Sequence, residues 1–187
     1  MKSAFHNPRL HVITGGPGAG KTTLLLELEK RGALCVPEAA RQIIRDQVAA
    51  HGNAVPWANT TRYTELMLAR SIADFELHAG SGQPAFFDRG IPDVLCYARL
   101  TGLKEEEIRQ ACDRCRYNGA VFLAPPWKEI YATDGERKQT FAEAVATHRV
   151  MSEAYRDCGY ELIELPLSSP AERAVFVVER MNASFAR

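Results

Sequence analysis

One octapeptide constrains this chain more than any other feature: Gly15-Gly16-Pro17-Gly18-Ala19-Gly20-Lys21-Thr22. It fits the pattern G-x-x-x-x-G-K-[ST] in full. Before it stands a short β-rich run, Leu10–Thr14. After it the pattern turns helical from Lys21 to Arg31, with Leu24, Leu25 and Leu28 on one side and Gly32 as the stop. Glycines let the chain turn so that successive backbone N–H groups point inward as an anion nest. The helix that follows adds its free N–H groups and the positive end of its dipole. Lys21 supplies a compact positive charge, and Thr22 a hydroxyl suited to a divalent cation. The competing reading is a Gly-rich strand-to-helix turn that binds nothing.

The rest of the chain alternates in the same way. Strands are expected at Ala33–Val36, Ala85–Phe87, Ala120–Ala124 and Tyr160–Leu165. Helices are expected at Glu38–Ala50, Thr60–Ala79, Ile91–Leu100, Lys104–Tyr117, Thr140–Cys158 and Ser169–Met181. In Thr60–Ala79 the expected apolar side is Leu66, Ala69, Ala73 and Leu77. Short apolar strands joined by helices imply a parallel sheet with right-handed crossovers and both faces covered. No repeat or linker interrupts the pattern, so residues 1–187 are expected to form one domain.

Charge and cysteines narrow the class. Lys plus Arg and Asp plus Glu both count 23, and the pI is near 7.0, which argues against a duplex-DNA binder. No apolar run has the length of a membrane span, and Met1–Leu10 has no signal-peptide core. The five cysteines therefore read as reduced thiols in a cytoplasmic protein. Cys112-Asp113-Arg114-Cys115 has no second ligand pair for zinc, so these are read as structural thiols.

Four further positions carry candidate chemistry. Asp88 ends an apolar strand, at the sheet edge where open parallel sheets bind ligands, and suits a magnesium role. The alternative is a cap on the helix that follows. Arg89 has the planar fork for a phosphate or carboxylate, or pairs with Asp88. Glu38 follows the second strand. A carboxylate there can take or orient the proton of an attacking hydroxyl, or is simply a first-turn Glu favoured by the dipole. Arg41, one turn on, can bind an acidic substrate group or pair with Glu38. Asp134-Gly135-Glu136-Arg137-Lys138 lies within a lid-like segment at about 128–140. There Arg137 is the preferred residue to stabilise a transferring phosphoryl group; a solvated charged turn is the plain alternative. Pro166–Pro170 is a candidate wall for a nucleotide base.

The chain resembles the small bacterial P-loop proteins of the AAA_28 type. These are related to nicotinamide-riboside-kinase-like domains and, more distantly, to deoxynucleoside and thymidylate kinases. The resemblance rests on Ile13–Thr22, Val36–Arg41, Phe87-Asp88-Arg89-Gly90, Pro125-Pro126-Trp127, Asp134–Arg137 and Tyr155 with Gly159-Tyr160. It implies an α/β P-loop NTPase fold, three-layer α/β/α, with a five-stranded parallel sheet in the order 2-3-1-4-5. It also implies a nucleoside triphosphate on Gly15–Thr23, that is Gly15, Gly16, Pro17, Gly18, Ala19, Gly20, Lys21, Thr22 and Thr23. ATP is the default, since no N-K-x-D guanine motif is present, with GTP kept open. Mg²⁺ is expected on Thr22 and Asp88, catalysis on Lys21, Glu38, Asp88 and Arg137, and acceptor contacts on Glu38, Arg41 and Arg89. The expected activity is a small-molecule kinase acting on a hydroxyl or phosphate. The alternative is a regulatory NTPase module without a small-molecule acceptor. Neither the acceptor nor the oligomeric state follows from the sequence.

Overall fold

Alternation of side chains along three central strands sorts the core into two halves. In β2 (Leu10–Gly15), Leu10 and Val12 face one way and Ile13 the other. β4 (Ala85–Asp88) splits Ala85 and Phe87 from Phe86. β6 (Ala120–Ala124) splits Val121 and Leu123 from Phe122 and Ala124. Each face must therefore be covered. The Ile13 side is closed by α1 (Lys21–Lys30) and α7 (Pro170–Phe185), which pack on each other through Leu24, Leu28, Ala174 and Val177. The Leu10 side is closed by α2 (Ala39–Ala49), α3 (Thr60–Ala79), α4 (Ile91–Thr101), α5 (Glu106–Arg114) and α6 (Phe141–Asp157). The result is three layers, α/β/α.

The computed structural model describes residues 5–131 and 140–185. With β3 (Leu34–Val36) and β7 (Glu161–Glu164), the main sheet has five parallel strands ordered β3-β4-β2-β6-β7. Counted along this sheet alone the order is 2-3-1-4-5, as the family resemblance implied. Val36 lies opposite Phe87, Ile13 opposite both Asp88 and Phe122, and Gly15 opposite Ala124. The carboxyl ends of β2, β3, β4 and β6 therefore meet at one edge, and the phosphate loop, Glu38 and Asp88 leave the sheet there.

Two expectations needed correction. The helix expected over Lys104–Tyr117 stops at Arg114, because Cys115–Arg116 (β5) pair in parallel with Phe5–His6 (β1) in a small second sheet. Tyr117 then points its ring into the core, edge-on to Phe75 and Phe87 at 5.0 and 5.3 Å. The buried side of α3 is also not the expected one. Tyr63, Thr64, Met67 and Phe75 are buried, whereas Ala69, Ala73 and Leu77 are exposed. Large side chains bury more area than alanines, and they determine the rotation of the helix.

Among the described residues no helix is long and apolar enough to cross a membrane, and no cluster of three metal-binding side chains occurs.

Candidate active site

The loop after β2 takes the conformation its glycines permit. Gly15, Gly18 and Gly20 have φ of 144°, 77° and 79°, values that L side chains rarely adopt. At Gly15 a Cβ would also stand 2.6 Å from the Ala124 carbonyl oxygen, so only glycine lets β2 and β6 lie side by side there. Gly20 is the N-cap of α1. Lys21 is buried, and its Nζ donates to the carbonyls of Gly15 (2.8 Å) and Gly16 (3.1 Å), folding the ammonium over the loop. Burial, then the Arg89 charge, lowers its pKa to about 8 against the pull of nearby carboxylates. Thr22 is exposed in the first turn of α1, and Thr23 donates its hydroxyl to the Gly20 carbonyl at 2.9 Å.

Arg173 braces this loop from behind. It is 2% exposed, donates through Nη1 to the Ala19 carbonyl (2.7 Å) and through Nε to that of Pro166 (2.8 Å), and lies 5.0 Å from the Trp127 ring centre. Its position ties α7 and the loop after β7 to the phosphate loop. Nothing in the local sequence announces this role.

Beside the loop, four charged groups form a chain. Glu38 ends the turn after β3, and its two oxygens accept from Arg89 Nε (2.7 Å) and Arg41 Nε (3.2 Å). Arg89 Nη1 reaches Asp93 at 2.9 Å. Asp93 is buried in the first turn of α4. It also accepts from the Thr14 hydroxyl (2.6 Å), the Gly90 N–H (2.9 Å) and the Tyr155 hydroxyl. The sequence reading missed Asp93. The signal was its third position after Gly90, where a carboxylate closes the helix start. The cap alternative for Asp88 falls with this, since Gly90 is the N-cap and Asp93 supplies the carboxylate. Arg89 pairs with Glu38 and Asp93 rather than Asp88. It holds φ at 74°, a left-handed conformation costly for a side-chain-bearing residue. Arg41 pairs with Glu38 and is half exposed.

Burial alone would lift the Glu38 carboxyl, but the charges of Arg89, Lys21 and Arg41 override it and hold the group below its usual range. Asp88 goes the other way. Burial raises its pKa although Lys21 and Arg89 oppose the shift. Its Oδ1 is buried with no hydrogen-bond partner among the described residues. An unmatched carboxylate oxygen beside an anion nest fits a magnesium ion, with the exposed Thr22 hydroxyl as the second protein oxygen.

A cavity of about 360 Å³ opens between this cluster and helices α3, α4 and α6. Pro17, Glu38, Asp88, Arg89 and Asp93 line its sheet end. The structure thus brings Lys21, Glu38, Asp88 and Arg89 together and leaves Arg41 at the rim. Arg137 lies outside the described residues, as does most of the lid-like segment. Lys128–Ile130 forms a short 3₁₀ turn at its start.

Comparison with known proteins agrees with this architecture. A shikimate kinase from Acinetobacter baumannii, solved in complex with shikimate, superposes with a TM-score of 0.58 at 14% identity, covering 96% of each chain. The YorR protein from Bacillus subtilis, solved in complex with phosphorylated GDP, gives 0.58 at 13% identity, covering 95% of this chain and 98% of that one. These likenesses show a P-loop kinase-like fold. No curated protein sequence matches the chain. The profile of the AAA_28 family, described as an AAA domain, matches residues 10–173, so the chain belongs to that family.

Proposed function

We propose that this protein is a magnesium-dependent small-molecule kinase that moves the γ-phosphoryl group of ATP to an acceptor held in the cavity. The observation that carries the reading is one of position. The anion nest and the cavity share the edge where β2, β3 and β4 end, and Glu38, Asp88 and Arg89 stand between them. A loop that only stored a nucleotide would not need a roomy pocket at its γ-phosphate end.

In this reading the loop amides and Lys21 hold the β- and γ-phosphates. Thr22 and Asp88 would hold magnesium, which would offset the charge of the phosphates. Glu38, ionised at neutral pH, accepts a hydrogen bond from the attacking hydroxyl and orients it toward the phosphorus. Arg89 fixes Glu38 by its 2.7 Å bond. Phosphoryl transfer passes through a loose transition state, so positioning and charge stabilisation matter more than a strong base. Arg137 remains the proposed cation of the lid, which would exclude water on closure.

The test is ³¹P NMR of the protein with Mg-ATP and a panel of hydroxylated compounds, with Lys21→Ala as control. The expected result is a new phosphomonoester resonance, reduced about 10²-fold or more in rate in the control. Slow release of inorganic phosphate, indifferent to every compound, would overturn the kinase reading in favour of a regulatory NTPase.

A further inference from the structure

The cavity has a chemistry of its own. Its walls are aromatic and thioether: Tyr63, Met67, Phe87, Tyr97, Tyr117 and Met151. Tyr63 meets Tyr97 edge-on at 5.5 Å, and Phe87 meets Tyr117 at 5.3 Å, so rigid ring faces and edges line the space. Such surfaces receive a flat ring well. A volume of about 360 Å³ suits a molecule of one or two rings.

The charges that line it are mostly negative. Glu38, Asp88 and Asp93 lie around Arg89, the one cation among the described lining residues, with the buried Lys21 of the phosphate loop beside them, while Asp74 is paired with Arg70. Arg89 is already opposed by two carboxylates, Glu38 at 2.7 Å and Asp93 at 2.9 Å. An incoming anion that reached its guanidinium would meet their repulsion as well. The two other arginines nearby turn outward. Arg70 holds Asp74 at 2.9 Å with its side chain 51% exposed, and Arg41 is 52% exposed at the rim. Nothing on the described walls is arranged to bind a carboxylate or phosphate on the acceptor, and removal from water strengthens each repulsion.

We infer that the acceptor is a hydroxyl compound with a flat ring and no anionic group, neutral or cationic, whose ring lies between α3 and α4 while its hydroxyl faces Glu38. The inference rests on the kinase reading of the site and narrows its acceptor from a hydroxyl or phosphate to a hydroxyl.

The test uses three matched probes, all para-substituted hydroxymethylbenzenes. One carries a carboxamide, one an aminomethyl group and one a carboxylate. They are titrated into the full chain labelled with ¹³C at the methionine methyls. Met67 and Met151 line the cavity, whereas Met181 packs on the opposite face of the sheet, so the labels report the site without a mutation. Met67→Leu and Met151→Leu assign the resonances. The expected result is movement of the Met67 and Met151 signals by the amide or the amine, with a dissociation constant at least about tenfold below that of the carboxylate. Equal or tighter binding of the carboxylate overturns the inference, as does failure of all three probes to move either signal at millimolar concentration. The same probes with Mg-ATP, followed by ³¹P NMR, separate this outcome from that of the kinase reading. Charge selectivity without phosphoryl transfer sinks the kinase reading and leaves a cavity for uncharged or cationic rings. Transfer to the carboxylate in preference to the others keeps the kinase reading and sinks the inference.

Discussion

At the scale of single residues, the backbone of Arg89 allows a test with a defined sign. Its φ of 74° strains any residue with a Cβ, while its side chain holds Glu38 and Asp93. Arg89→Ala loses the ion pairs and keeps the strain; Arg89→Gly loses the pairs and the strain together. The glycine variant is expected to be the more stable of the two by about 1 kcal/mol in urea denaturation, with both inactive. His11 is 2% exposed with no hydrogen-bond partner for its Nε2 among the described residues, and burial lowers its pKa from 6.5 to about 4. The unfolded chain therefore takes up a proton that the folded chain refuses. His11 leaves stability untouched above pH 6.5 and subtracts from it as pH falls toward 4, by on the order of 3 kcal/mol at the acid end. His11→Leu should flatten that part of the pH–stability curve; an unchanged slope would show that the imidazole is not the source. Among the thiols, burial raises the pKa of Cys35, Cys96 and Cys115. Cys158 is lowered by a hydrogen bond from Cys112, against burial, with help from Arg116, Arg109 and Arg99. Iodoacetamide at neutral pH should mark Cys158 first when the adducts are mapped by mass spectrometry.

At the scale of elements, α3 carries the side chains that shape the cavity. Tyr63, Met67, Ser71 and Asp74 recur at intervals of four, four and three and line one wall. Its start is fixed by Asn59, whose side chain accepts from the Arg62 N–H at 3.0 Å. Asn59→Ala is expected to cost about 1 kcal/mol, read by thermal unfolding, and to weaken acceptor-dependent turnover more than nucleotide binding, since α3 lines the cavity. The same helix shows why the sequence was misleading here. Leu66, Ala69, Ala73 and Leu77 form a regular apolar stripe, but a stripe that includes alanines loses to one with Tyr63, Met67 and Phe75. Periodicity alone does not weigh area. At α5 no local signal marks the stop after Arg114, because the cause is a pairing with Phe5–His6, more than a hundred positions away. The phosphate loop, by contrast, was legible in full. Its conformation depends on glycines within the motif, and its context on the elements that flank it.

At the scale of the molecule, the parallel sheet followed from the alternation of strands and helices, whereas the order of its five strands and the meeting of Lys21, Glu38, Asp88 and Arg89 followed from the family likeness. What did not follow was the set of long-range partners: Asp93 with Thr14 and Tyr155, and Arg173 with Ala19. These depend on how layers stack, which no local pattern encodes. A ligand that binds only the folded chain must raise its melting temperature, so Mg-ATP at a hundredfold excess over its dissociation constant should add about 2.7 kcal/mol, and Lys21→Ala should abolish most of that shift. The bond from Arg173 to Ala19 has a consequence for the order of synthesis. The phosphate-loop sequence leaves the ribosome well before its brace, which is encoded 154 positions later. A nascent chain therefore carries this loop through that stretch of translation without the part that steadies it, and the loop gains its brace only when α7 docks.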